Sequence, residues 1–155
     1  MRLKKEAELE HCRAEAEEWV GEPSARDRAM YALALYAGEG SKGDGSLVFA
    51  NSDPTLMWIF LCWLRSHFDL DERKLRVRLY LHADLDLDAA IAHWSRLLSI
   101  PPDQFTRPYR AVVDETMRHN RHEFGCAGIV YHSRLVHRRV MAMIEAVGSA
   151  VADPG

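Results

Sequence analysis

The stretch Ala32-Leu33-Ala34-Leu35-Tyr36-Ala37-Gly38-Glu39-Gly40-Ser41 decides how the rest of the chain is read: an apolar segment runs into a lone carboxylate between two glycines. From Asp27 to Gly38 there is no proline and, before Gly38, no glycine, and apolar residues fall on nearly every side. That pattern predicts a helix over 27–38 that is buried all round rather than laid on a surface. Ala34, Ala37 and Gly38 stand at i, i+3 and i+4, so one face is small enough for a second backbone to come close. Glu39 is the anomaly. A carboxylate at a helix C-terminus faces the negative end of the macrodipole and joins the unmet carbonyls of the last turn, a placement unfavourable by about 0.3–1 kcal/mol. A bound cation reverses that sign, and Mg²⁺ takes one or two carboxylates with carbonyls, waters and phosphate oxygens, which suits Glu39 and the Gly38 carbonyl. The plainer alternative is that Gly38 and Gly40 end the helix and Glu39 points into water.

Around this segment the chain has ordinary proportions. Its 155 residues are 48% hydrophobic and 28% charged, the balance of one globular domain able to bury its own core. The reading is a domain over 24–151, preceded by a polar helix within 1–23 and followed by a tail at 152–155. The apolar run from Leu56 to Leu64 is too short to span a bilayer, and the charged start Met1-Arg2-Leu3-Lys4-Lys5 lacks the apolar core of a signal peptide, so no membrane partner and a cytoplasmic location are expected. Three cysteines without a CxxC pair predict reduced thiols. The net charge of −3 does not mark a nucleic-acid binder, but charge is unevenly placed, and local patches decide binding. The first twenty-two residues are rich in acid, whereas 104–139 carries Arg107, Arg110, Arg118, Arg121, Arg134, Arg138 and Arg139.

Downstream elements follow from period and punctuation. Ser24 with Asp27 has the spacing of a capping box for the central helix. Residues 41–45 form a glycine-rich turn that lacks the GxxxxGK[ST] spacing of a phosphate loop, and a strand follows over 47–51. Asp53-Pro54 opens a helix over 54–68. Over 74–82, Leu75, Val77, Leu79 and Leu81 alternate with Lys74, Arg76, Arg78, Tyr80 and His82, so one strand face is apolar and the other basic and aromatic. Same-side residues on such a strand lie about 6.6–6.8 Å apart, close to the phosphate spacing of a DNA strand, while a solvated antiparallel face is the plain alternative. A second amphipathic helix covers 84–99, an edge strand containing Pro108 covers 105–113, a loop covers 116–123, a strand over 125–132 pairs back, and a helix over 133–151 closes the domain, with Leu135, Val136, Val140, Met143, Ile144 and Val147 inward. His119, His122, Cys126 and His132 match no zinc-ligand spacing.

With these elements in order, ALALYAGEGS resembles the signature of the LAGLIDADG homing endonucleases, in the variant ending Gly-Glu-Gly-Ser. The similarity takes in Lys42, the Val48-Phe49-Ala50-Asn51-Ser52-Asp53-Pro54 segment, Arg76-Val77-Arg78, Trp94, Pro101, Phe105 and Gly125-Cys126, and its spread is most like that of small bacterial single-motif proteins related to those enzymes. The resemblance implies an α+β fold in which a mixed or antiparallel, saddle-shaped sheet is backed by helices. It also implies a divalent-metal-dependent endonuclease that hydrolyses phosphodiester bonds of double-stranded DNA, with Mg²⁺ or Mn²⁺ held by Glu39. One motif per chain then calls for a homodimer joined through the helix that ends at Gly38, in contact at Ala34, Ala37 and Gly38, and for a near-palindromic target. In that arrangement Glu39 and Lys42 are the catalytic pair, Gly38 lends its carbonyl to the metal, and Arg76, Arg78, Tyr80, Arg107, Arg110, Arg118 and Arg121 hold DNA. Two departures stand out: Ala37 occupies a position where Asp is common, and the segment between Ser41 and Asn51 is short for the usual first hairpin. A DNA-binding regulator that keeps this scaffold without catalysis, and an accessory protein that docks through its acidic N-terminal helix, are the competing readings.

Overall fold

The computed structural model describes residues 2–112 and 122–153. In chain order these form α1 (Arg2–Val20), α2 (Ala25–Glu39), β1 (Leu47–Asn51), α3 (Pro54–His67), β2 (Leu75–His82), α4 (Leu87–Leu98), β3 (Phe105–Ala111), β4 (Cys126–Tyr131) and α5 (Arg134–Ala152), a mixed α+β arrangement. The four strands make one sheet in the order β1-β4-β2-β3. β4 runs antiparallel to both β1 and β2, while β3 runs parallel to β2 at the edge, where the missing N–H of Pro108 is tolerated. The expectation that residues 125–132 pair back on the preceding strand is corrected in its partner: β4 passes over β3 and inserts between β1 and β2.

Alternation decides which face of the sheet is covered. Leu47 and Phe49 of β1, Leu75, Val77, Leu79 and Leu81 of β2, and Ala127, Ile129 and Tyr131 of β4 are buried with Phe60, Leu61 and Leu64 of α3, Trp94 and Leu98 of α4, and Val140 of α5. Val48, Ala50, Arg76, Arg78, Tyr80, Gly128 and Val130 lie on the opposite face by register. Each helix that packs on the core has an N-terminal side-chain cap: Ser24 for α2, Asp53 for α3, Asp86 for α4 and Ser133 for α5. α4 stops at Ser99, which takes the left-handed conformation at φ 52 just before Ile100-Pro101-Pro102.

Two expectations are revised. α2 is not buried all round: Ala32, Leu33 and Tyr36 face the core, but Ala34, Ala37 and Gly38 are exposed and Tyr31 is 50% exposed. The physical reason is that, among the described residues, nothing covers the remaining side of α2. In α5, Leu135 is 60% exposed and the inward position beside Val136 belongs to His137. α1 is polar as expected, and its described side chains are all exposed, Trp19 at 88% among them.

The capping box at Ser24 is complete: Asp27 N–H donates to Ser24 Oγ at 3.2 Å, and Ser24 N–H donates to the Asp27 carboxylate at 2.8 Å. Because α2 carries core residues, loss of its cap is felt by the whole fold. Ser24→Ala is expected to lower the free energy of unfolding by about 1 kcal/mol, read from denaturant midpoints at constant slope.

Candidate nucleic-acid interface and acidic turn

The C-terminus of α2 is fixed by a dense set of contacts around one aromatic ring. Tyr36 is fully buried and stacks on Phe60 with ring centroids 5.6 Å apart. Burial holds its phenol above the ordinary value, so the hydroxyl stays protonated and donates to the Ser41 carbonyl at 3.0 Å. Gly40 lies directly against the ring: a Cβ there would stand 2.5 Å from Tyr36 Cγ and Cδ2. Gly40 N–H donates to the Tyr36 carbonyl at 2.8 Å, Gly40 bridges Phe49, and Ser41 N–H donates to the Val48 carbonyl at 2.9 Å. Where the family resemblance implies a full hairpin, these two residues supply a short ladder on the free edge of β1.

Lys42 is engaged at the end of α2. Its ammonium donates to the Tyr36 carbonyl at 2.9 Å and the Gly40 carbonyl at 2.6 Å and sits 5.5 Å from the Tyr36 ring centroid. This is the cation that the negative end of α2 calls for, supplied from within the chain. Lys42 therefore serves the helix terminus. Glu39, the last residue of α2, is exposed. Burial and, after it, the negative charge of Glu39 push the Cys126 thiol upward. Through the Gly40–Phe49 bridge the acidic turn lies along the edge of β1.

The sheet face opposite the core is aromatic and basic at its centre. Arg78 is exposed and Tyr80 is 39% exposed. A Cβ on Gly128 would lie 3.4 Å from Tyr80 Cε2 and 3.5 Å from Ala50 Cβ, so the ring spans a shallow strip between strands. Tyr109, 62% exposed, pairs with Tyr80, with ring centroids 6.3 Å apart. The sequence reading did not single out Tyr109, and the cause is a register shift. Two residues of β3, Arg107 and Pro108, stand opposite Leu79 alone, which reverses the alternation after Thr106. The same shift corrects Arg110, which pairs with Leu81 on the covered side and donates from Nη2 to the Ala83 and Leu85 carbonyls at 2.7 and 2.9 Å. Arg76 is partly engaged as well, donating to the Arg73 and Leu75 carbonyls. Arg107 is exposed at the bulge, while Arg118 and Arg121 lie outside the described residues.

The donor set for a divalent ion is limited in one chain. Among the described residues no three His, Cys, Asp or Glu side chains come together as a metal site, and His132 is hydrogen-bonded through Nδ1 to the Ser46 hydroxyl at 2.9 Å. Glu39 offers one hard oxygen ligand at an exposed helix end, and the Gly38 carbonyl is not one of the acceptors Lys42 uses. One carboxylate with carbonyl oxygens suits a cation that retains waters and phosphate oxygens, and poorly suits one that demands a full protein cage. No protein-family model, curated protein or solved structure matches this chain.

The two glycines that flank Glu39 are expected to respond differently to substitution. Gly40→Ala forces a methyl into the Tyr36 ring and should cost about 1–3 kcal/mol, the usual range for overpacking. Gly38→Ala meets nothing within 4 Å and should leave thermal unfolding of the isolated chain unchanged or slightly raised. Calorimetry on both variants checks the contrast.

Proposed function

We propose that this protein is a LAGLIDADG-type DNA-binding protein that acts as a homodimer and cleaves a near-palindromic duplex with Mg²⁺ or Mn²⁺. The observation that carries the reading is the exposed small face of α2, Ala34, Ala37 and Gly38 beside Tyr31, which ends on Glu39 next to the residue that bridges the edge of β1. A two-fold contact along that face buries the apolar side left bare in one chain, and it brings two Glu39 carboxylates together between two copies of the sheet. Each chain contributes half of a hard-oxygen site, from Glu39 and the Gly38 carbonyl. A bound divalent cation supplies neutralisation of phosphate charge and activation of water. The protein's own residues do the rest. Arg78 and Arg107 neutralise phosphates, Tyr80 and Tyr109 give a flat surface against the duplex, and Lys42 keeps the last turn of α2 closed so that Glu39 stands at a fixed height.

The regulator reading keeps the same DNA surface without cleavage. It is favoured by the single carboxylate at the site and by the commitment of Lys42 to the helix end. The two readings separate in one assay. A randomised duplex library incubated with Mg²⁺ or Mn²⁺ should be cut by the wild type and left intact by Glu39→Gln, with duplex binding equal in both. Binding by both with cutting by neither selects the regulator, and absence of binding removes both.

Salt dependence tests the surface independently of chemistry. If Arg78 touches a phosphate in each protomer, Arg78→Ala is made twice per dimer. The slope of log K against log salt should then shrink by about 1.8, twice the roughly 0.9 released per phosphate contact on duplex DNA. Arg110→Ala, whose guanidinium is held on the other side of the sheet, should leave the slope unchanged.

A further inference from the structure

Among the described residues His137 is the one buried polar side chain, 2% exposed in a face of α5 otherwise formed by Val136 and Val140. Its ring meets Tyr36 edge-on, with centroids 6.3 Å apart. Nε2 lies 3.2 Å from the Ser41 carbonyl, so Nε2 carries the proton and donates, while Nδ1 is buried without a partner. The Ser41 carbonyl therefore accepts from two elements at once, from Tyr36 of α2 and from His137 of α5. A buried imidazole with one nitrogen unmet costs stability, and a phenyl ring covers the same core without that cost. What histidine adds is a directional donor aimed at the residue two places after Glu39.

We infer that His137 is a positioning residue for Glu39: its hydrogen bond to Ser41 holds the exit of α2 against α5 and so fixes where the carboxylate stands. The inference rests on the reading of Glu39 as the working group of the site. The anchor is independent of the second link between α5 and this turn, the paired bonds from Arg138 to Asp44 at 2.9 and 2.6 Å, which act three residues further on. Of these links between α5 and the turn, the imidazole is the one that reaches Ser41, two residues from Glu39.

The test compares wild type, His137→Phe and His137→Gln, whose side-chain amide can still donate to the carbonyl. Amide hydrogen exchange at Gly40 and Ser41 reads the position of the turn whether or not DNA is cut. His137→Phe should keep the wild-type unfolding temperature within a few degrees and the same duplex affinity. It should exchange at Ser41 at least about tenfold faster, and cut roughly ten- to hundredfold more slowly with a higher half-saturating Mg²⁺ concentration. His137→Gln should return exchange and cutting to near wild type. Unchanged exchange in His137→Phe overturns the inference, and so does an equal change in both variants, which would mean that only the filling of space matters. Should exchange respond as stated while wild type itself cuts nothing, the positioning stands and the nuclease reading falls.

Discussion

The face of one tyrosine ring governs this structure. Tyr36 is buried between α2 and α3, Gly40 lies flat on it, and its hydroxyl, its carbonyl and its π-face hold Ser41, Gly40 and Lys42 respectively. A helix normally leaves four carbonyls unmet at its end, and a glutamate placed there adds a like charge. Here the backbone is turned at once onto the edge of β1 and the terminus is covered by the Lys42 ammonium. Glu39 is thereby left outside on a rigid support. It is the backbone beneath the carboxylate that is held, while the side chain itself remains exposed.

Much of this arrangement could be read in the sequence because local rules act there without competition. The capping box at Ser24, the Asp53-Pro54 helix start, the strict alternation of β2 and the edge position of a strand with Pro108 all follow from short-range chemistry, and each agrees with the structure. Long-range effects were hidden. A one-residue shift in β3 exchanged the faces of Tyr109 and Arg110, because strand sides alternate with period two and any inserted residue reverses every side chain after it. The ammonium of Lys42 is drawn back onto its own helix, a choice that depends on the turn folding over Tyr36. His137 could have been noticed: it lies at i, i+3 and i+7 with Val140 and Ile144, an imidazole on an apolar stripe.

The apolar periodicity of α2 was legible, but its meaning was not. A helix that is hydrophobic all round is buried on all sides, yet the described residues of one chain cover one side of α2. The other side exposes alanines and a glycine whose missing Cβ faces open space. Burial of such a surface against a second copy is the step on which the functional proposal depends. In the proposed dimer, two-fold symmetry would supply a second Glu39 and a second basic sheet face.

The proposed contact between two α2 helices can be tested directly by cysteine cross-linking. In a background where Cys12, Cys62 and Cys126 are replaced, Ala34→Cys should form a covalent dimer under mild oxidation, since a disulfide requires Cα atoms about 4.4–6.8 Å apart. Arg107→Cys, exposed at the bulge of β3, serves as the control and should form no covalent dimer. Rapid and selective dimerisation through Ala34→Cys is the predicted result; cross-linking no faster than the control would contradict the account at its root.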